Sequence, residues 1–447
     1  MPLTKNELHT VQIEGYTSEG EGVARILGQV VFVKGAIEGE TCEIRILRTT
    51  KNVAWAKIET ILSPSPHRLE PACEAFGPCG GCDFLHMHYE EELRAKHKRV
   101  TDALSRVGGL SIPVAPIIGA EEQTHYRNKA IFAVGDGPHT GFYRRRSHQI
   151  IPVTDCLIQA KSANRAAHAL REWMSTHQIP AYNETTGKGL IRHLFVRESQ
   201  STGKSAVCIV ATSAKLPHQD ELIQTIRRHC PEASGILLCR NRDRGNVVLE
   251  GKFHTLWGED ALTDTLCGLE FRLSPRSFFQ INPPQAERLY EKARAYAGLT
   301  GEETLLDLYC GTGTITLIMA KNAKQAIGAE IVPSAIADAA ENARTNGIQN
   351  AEFLLGDAGE AARQLESRSI KPDIIIVDPP RKGLTPEVID QIAKLAPKQI
   401  VYVSCDPATL ARDLGRFAEN GYQTKEVSPF DLFPRCAHIE CVALLEL

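Results

Sequence analysis

The sequence predicts an α/β protein in three successive parts: a small N-terminal β-barrel, an α+β middle, and a C-terminal doubly wound sheet. Three observations predict it. Residues 10–62 alternate polar and apolar in the strand manner and are punctuated by glycines from Gly15 to Gly39, the spacing of short strands in a barrel. Residues 125–275 mix strand-like runs such as Ala130-Ile131-Phe132-Ala133-Val134 with helical ones such as Ser162 to His177. From about residue 300 the rhythm becomes apolar run, turn, amphipathic helix, repeated, which implies parallel strands with crossover helices on both faces. The divisions expected are 1–62, 63–270 and 271–447.

Composition narrows the class. With 43% hydrophobic and 23% charged residues in 447, disorder and collagen-like readings lose their support. No stretch approaches the roughly 18 to 20 apolar residues of a membrane span, and Met1-Pro2-Leu3-Thr4-Lys5 opens no signal peptide; a soluble cytoplasmic protein is expected. Thirteen cysteines, an odd number, argue for reduced thiols with metal or catalytic roles rather than a disulfide framework. The net charge of −3 hides an asymmetry: residues 1–300 are basic on balance and residues 301–447 acidic. That suits RNA contact in front and a small cationic ligand behind.

Along the chain, Ser63-Pro64-Ser65-Pro66 reads as a linker, and Tyr89 to Val107 as a helix ended by Gly108-Gly109. The first apolar run of the C-terminal part ends in Asp307-Leu308-Tyr309-Cys310-Gly311-Thr312-Gly313-Thr314 and opens a helix, Ile315 to Asn322. Gly311 and Gly313 admit a ligand close to the backbone. Position 316 is Thr where a dinucleotide fingerprint wants a glycine. Glu330 ends the second run, placed for ribose hydroxyls, and Asp357 follows the third, placed for an adenine edge. Asp-x-x-x-Gly-x-Gly with an acidic strand end is the S-adenosylmethionine pattern.

The fourth run ends in Asp378-Pro379-Pro380-Arg381-Lys382-Gly383 and the fifth in Val403-Ser404-Cys405-Asp406-Pro407. Methylating a ring carbon of a pyrimidine requires a thiolate, since attack on the 6-carbon makes the 5-carbon nucleophilic. Cys405 fits that role. Asp406 and Pro407 are expected to cap and open a helix, Pro407 to Phe417, whose N-terminus would lower the thiol pKa while the Asp406 charge opposes it.

These motifs, with Ser274-Pro275-x-Ser277-Phe278-Phe279-Gln280-Ile281-Asn282, Tyr126-Arg127-Asn128-Lys129 and Phe433-Pro434-x-x-x-His438-Ile439-Glu440, together resemble the RNA (uracil-5-)-methyltransferase family over nearly the whole chain. The resemblance implies Cys405 as nucleophile and Glu440 as the base that removes the 5-proton. It implies Gln280, Tyr309, Glu330 and Asp378 around S-adenosylmethionine, and an N-terminal TRAM domain, an OB-like RNA-binding module.

Cys73-x5-Cys79-x2-Cys82 lies in a Gly-rich loop, with Cys156 a distant fourth ligand. Four thiolates fit zinc or an iron–sulfur cluster. The resemblance decides for a 4Fe-4S cluster, held with this arrangement by the 23S rRNA members of the family and absent from many tRNA members. It therefore implies 23S rRNA as substrate, with tRNA the runner-up. A monomer is expected, and the alternative from another class is a non-catalytic RNA-binding assembly protein, which would not need Cys405 and Glu440 together. The clusters Arg144-Arg145-Arg146, Arg192-His193 with Arg197, and Arg240 to Arg244 are candidate phosphate contacts.

Overall fold

A computed structural model describes residues 3–447 apart from 244 and 246. The N-terminal strands, from Leu8–Gln12 to Val53–Ser63, form one six-stranded sheet. It curls until the first strand lies beside the third, around a core that includes Val11, Ile13, Val31, Val33, Ile44 and Ile46. The alternation seen in the sequence is thus the inward and outward alternation of a curled sheet.

The middle part is a seven-stranded sheet built from strands between Lys129–Gly135 and Lys252–Gly258. The helices Lys161–Thr176 and Gln219–His229 pack against each other and cover one face. The strand Ile191–Glu198 is central and almost wholly buried.

The C-terminal sheet has seven strands. Five are parallel, Thr304–Leu308, Gln325–Glu330, Ala351–Leu355, Ile374–Val377 and Gln399–Ser404, each at the position expected from its apolar run. Two more, Gln423–Phe430 and Glu440–Glu446, close the sheet antiparallel and have no counterpart in the sequence reading. The spatial order is third, second, first, fourth, fifth, seventh, sixth. Apolar clusters lie on both faces, so the four inner parallel strands are buried twice over and read as continuous apolar runs, whereas the edge strand Ala351–Leu355 is only partly covered. The chain reverses strand order beside Thr304–Leu308, and the crevice outside the carboxyl ends there is the usual ligand position.

Two elements cross the expected divisions. The hairpin Leu262–Leu266 with Leu269–Leu273 straddles residue 270, and its buried Leu266, Leu269 and Phe271 belong to the core of the C-terminal sheet. The helix Tyr89–Arg106, assigned by sequence to the middle part, packs on the helix Pro407–Glu419, and its Val100 and Leu104 enter the core on the sheet's other face. Apolar burial, not chain order, decides where these segments belong.

Candidate active site

The turn after Thr304–Leu308 is built by unusual backbone. Tyr309, Gly311 and Gly313 all have positive φ, and at Gly313 (φ +81°) a Cβ would meet Phe353 at 2.9 Å. Only glycine fits there without displacement. The Gly311 N–H donates to the Glu330 carboxylate at 3.2 Å, and the other Glu330 oxygen accepts from the backbone of Ile331 and Val332. Asp357 caps the helix Ala358–Ser367, accepting from the Glu360 N–H at 2.8 Å. Tyr309, Glu330 and Asp357 line one cavity of about 330 Å³ together with Ile331, Gly356 and Val388. Three of the expected cofactor contacts therefore share one chamber.

Gln280, Gly311, Gly313 and Asp378 are not among its lining residues. Gln280 donates to the Tyr290 hydroxyl at 3.2 Å, and burial followed by the Asp378 and Glu440 charges raises the Tyr290 phenol. Asp307 is buried and Asp378 partly so, and desolvation pushes each up to about 7. Thr316, the residue at the dinucleotide glycine's place, donates to Asp307 at 2.6 Å.

Glu440 begins its strand and is 8% exposed. Its carboxyl is held well above the usual range by burial first and then by Asp378, with Arg381 opposing. Asp406 caps the helix Pro407–Glu419, accepting from the N–H groups of Ala408 and Thr409. Cap and helix are as expected, but the thiol responds otherwise. Burial, followed by the Glu440 and Asp378 charges, pushes Cys405 up to about 11. Desolvation and two neighbouring carboxylates outweigh the helix terminus and Arg381.

The loop leading to Glu440 is gripped from the front half of the chain. The Tyr126 hydroxyl donates to the Pro434 carbonyl at 2.9 Å, and the Asp83 carboxylate accepts from the Ala437 N–H at 2.8 Å. The buried Lys96 ammonium donates to Glu92 and to Asp431, both at 2.7 Å, and Glu92 also accepts from the Arg435 N–H.

Cys73, Cys79, Cys82 and Cys156 line a single cavity of about 300 Å³, walled by Phe76, Ile131 and Phe142 with Arg127 and Lys129 beside them. A lone zinc ion sits about 2.3 Å from each sulfur, yet no three of these sulfurs lie within 4.8 Å of one another. A larger group with thiolate ligands fits the cavity better, and the two cations suit an anionic one. Sequence reasoning missed Cys436, which is buried next to Cys82. Its thiol donates to the Gly81 carbonyl at 3.1 Å and its sulfur accepts from Arg127 at 3.2 Å. It occupies a variable position of the motif ending in Glu440, so spacing could not single it out.

The expected phosphate contacts divide. Arg144 is exposed, Arg145 pairs with Asp83, and Arg146 lies 3.3 Å from Glu19. Arg192, His193 and Arg197 are buried, which corrects their reading as surface cations. Arg197 instead donates to the carbonyls of Ser274 and Ser277, both at 2.8 Å. Arg242 donates to the Thr212 carbonyl, and Arg244 lies outside the described residues.

A doubly wound sheet with this strand order, a glycine-shaped first turn and an acidic second strand end defines an S-adenosylmethionine-dependent methyltransferase. The profile of the family described as tRNA (Uracil-5-)-methyltransferase matches residues 88–447, and that of the TRAM domain matches residues 2–58. An "Uncharacterized RNA methyltransferase" of Clostridium acetobutylicum is 41% identical over 452 residues, covering 100% of this chain and 98% of its own. Another, of Caldanaerobacter subterraneus, is 42% identical, covering 98% of each chain. The crystal structure of Pyrococcus abyssi tRNA (uracil-54, C5)-methyltransferase with S-adenosyl-L-homocysteine is similar at TM-score 0.77 and 27% identity, covering 98% of this chain and 99% of that one. The chain belongs to the RNA (uracil-5-)-methyltransferase family, with a TRAM domain at its N-terminus. It is an S-adenosylmethionine-dependent RNA methyltransferase. Among the described residues, no helix is long and apolar enough to cross a membrane.

Proposed function

We propose that this enzyme methylates the 5-carbon of uridine in 23S rRNA through a covalent adduct on Cys405. The observation that carries the rRNA assignment is the cavity shared by Cys73, Cys79, Cys82 and Cys156, a ligand set that the resemblance ties to rRNA enzymes holding a 4Fe-4S cluster. In this reading the four thiolates hold the cluster, and Arg127 and Lys129 balance its negative charge. The methylation requires no redox step, so a cluster bound there would serve to fix the loop that also carries Asp83, whose carboxylate accepts from Ala437 on the way to Glu440.

The chemistry follows from the charges. Cys405 loses its proton and bonds to the 6-carbon of the flipped uridine, leaving the 5-carbon electron-rich. Bound S-adenosylmethionine would supply the electrophilic methyl group to that carbon, the broken sulfur–methyl bond leaving its electron pair on sulfur as S-adenosyl-L-homocysteine. Tyr309, Glu330 and Asp357 hold the nucleoside part in their cavity, with the Gly311 and Gly313 turn closing on it, while Gln280 and Asp378 lie beside the reacting end. Glu440 then takes the 5-proton and the Cys405–carbon bond breaks, restoring the ring and the thiolate. A carboxylate with a raised pKa is the stronger base for that step.

Position-resolved mass spectrometry of rRNA and tRNA from a strain lacking the gene tests the substrate. The expected result is loss of 5-methyluridine from 23S rRNA positions in single-stranded or loop regions, restored by the purified protein. Loss confined to tRNA would overturn the rRNA assignment.

A further inference from the structure

The middle sheet carries a second polar chamber. Its cavity of about 360 Å³ is lined by Tyr143, Tyr182, His139, His148, Arg192 and His193, among others, within the size range of small-ligand sites. A register shift in the strand Ile191–Glu198 falls between Ile191 and His193. Such bulges re-aim side chains, and here Arg192 and His193, successive residues that a regular strand would turn to opposite faces, line the same cavity.

The polar inventory is incomplete. His193 is 7% exposed, and among the described residues its Nδ1 has no hydrogen-bond partner. Its Nε2 lies 3.3 Å from the Tyr143 hydroxyl. The Arg192 guanidinium lies 4.9 Å from the centre of the Tyr182 ring and donates to the carbonyl of Asn241 at 3.2 Å. A buried imidazole nitrogen left unpaired costs free energy that a ligand would recover.

We propose that this chamber receives a second base of the RNA substrate, a purine, while the target uridine occupies the pocket beside Cys405. Aromatic walls with a few converging hydrogen-bonding groups are how proteins take unstacked bases. The purine's ring nitrogens and exocyclic group offer the partners that His193 Nδ1 lacks. The surroundings favour a base on a strand over a free nucleotide. Tyr143 runs directly into Arg144 and Arg146, both exposed, where guanidiniums can meet the phosphates flanking a docked base. The strand that carries His193 also carries Arg197, which holds the segment leading to Gln280. Four residues of strand separate the two, about 13 Å, so one stretch of RNA can engage both ends. The proposal rests on the enzyme acting on RNA and holds for rRNA or tRNA alike.

The full-length protein is irradiated with ultraviolet light in complex with total RNA from a strain lacking the gene, digested, and read by mass spectrometry. The expected product is a purine nucleotide joined to Tyr143, Tyr182 or His193. RNA crosslinks confined to other parts of the chain, or a pyrimidine at these residues, would overturn the proposal. In parallel, Tyr182→Ala and His193→Ala should each raise the KM for RNA about tenfold or more, with kcat and the Kd for S-adenosyl-L-homocysteine unchanged, and Tyr182→Phe should restore KM. Unchanged KM in both alanine variants, with S-adenosyl-L-homocysteine binding showing them folded, would also overturn it. Crosslinking reads the site without turnover, so its failure is separable from an error about Cys405 or the RNA class.

Discussion

The carboxyl cluster around Cys405 and the chamber of the four cysteines differ in charge. In the first, Asp307 and Glu440 are buried and Asp378 partly so, and desolvation favours the protonated form of each. Around the second, apolar walls carry Arg127 and Lys129. Each is the complement of what it would receive: a sulfonium cation in one, an anionic cluster in the other. The lining of each, read together with its burial, thus separates the two sites.

Removing the nucleophile should produce the largest effect. Cys405→Ala is expected to lower methyl transfer from labelled S-adenosylmethionine to RNA by about 10⁴-fold or more, while S-adenosylmethionine still binds. Retained turnover would detach the acidic chamber from the chemistry. Glu440→Gln should cost about 10²- to 10⁴-fold and behave differently, because attack and methyl transfer precede the blocked elimination. A methylated RNA–protein adduct should then accumulate on denaturing gels; wild-type turnover with no such band would move the base elsewhere.

The opposite chamber is tested by metal content. Protein purified without oxygen should be brown, with iron and sulfide near four each per chain as a 4Fe-4S centre requires. Serine at Cys73, Cys79, Cys82 or Cys156 should bleach it. Activity should fall by roughly 10²-fold, the scale of a small misplacement of a catalytic group, because the same loop holds the approach to Glu440. Stoichiometric zinc in colourless protein would refute the cluster, and an intact cluster in the Cys156 variant would reassign the fourth ligand.

The smallest effect concerns protonation. Cys405 reacts as the thiolate, and its pKa is pushed up to about 11. Raising a thiol's pKa depletes the reactive form at neutral pH, so alkylation of Cys405 by iodoacetamide should rise about tenfold per pH unit until near that value. S-adenosylmethionine, a cation, should shift the profile to lower pH, whereas the uncharged S-adenosyl-L-homocysteine should not. Peptide mass spectrometry separates Cys405 from the other thiols. Identical profiles with both ligands would show that the carboxylates do not govern the thiol.

Legibility in the sequence followed burial. Four of the five parallel strands are readable because both their faces are covered, and the Asp-x-x-x-Gly-x-Gly turn because its backbone demands glycine. The strands Gln423–Phe430 and Glu440–Glu446 were not, since they belong to the sheet only through a reversal of direction that no local pattern announces. The motifs single out Glu440 and Cys405 but not their electrostatics, because desolvation depends on what packs over a group rather than on its neighbours in sequence. Arg192, His193 and Arg197 misled for the same reason. A run rich in cations reads as surface, yet this strand is central, and two guanidinium nitrogens of Arg197 donate to carbonyls 77 and 80 residues away.

The buried contact of Lys96 with Asp431 has a consequence for biosynthesis. The two residues are 335 positions apart, so at roughly 5 to 20 residues per second the ribosome delivers Asp431 on the order of 20 to 70 s after Lys96. During that interval the helix Tyr89–Arg106 has emerged without the partner strand and helix it packs on. It must stay hydrated, with its apolar Val100 and Leu104 exposed, while the barrel is already free to fold. The nascent chain therefore spends most of its synthesis with one finished RNA-binding module at its leading end and an unfinished enzyme behind it.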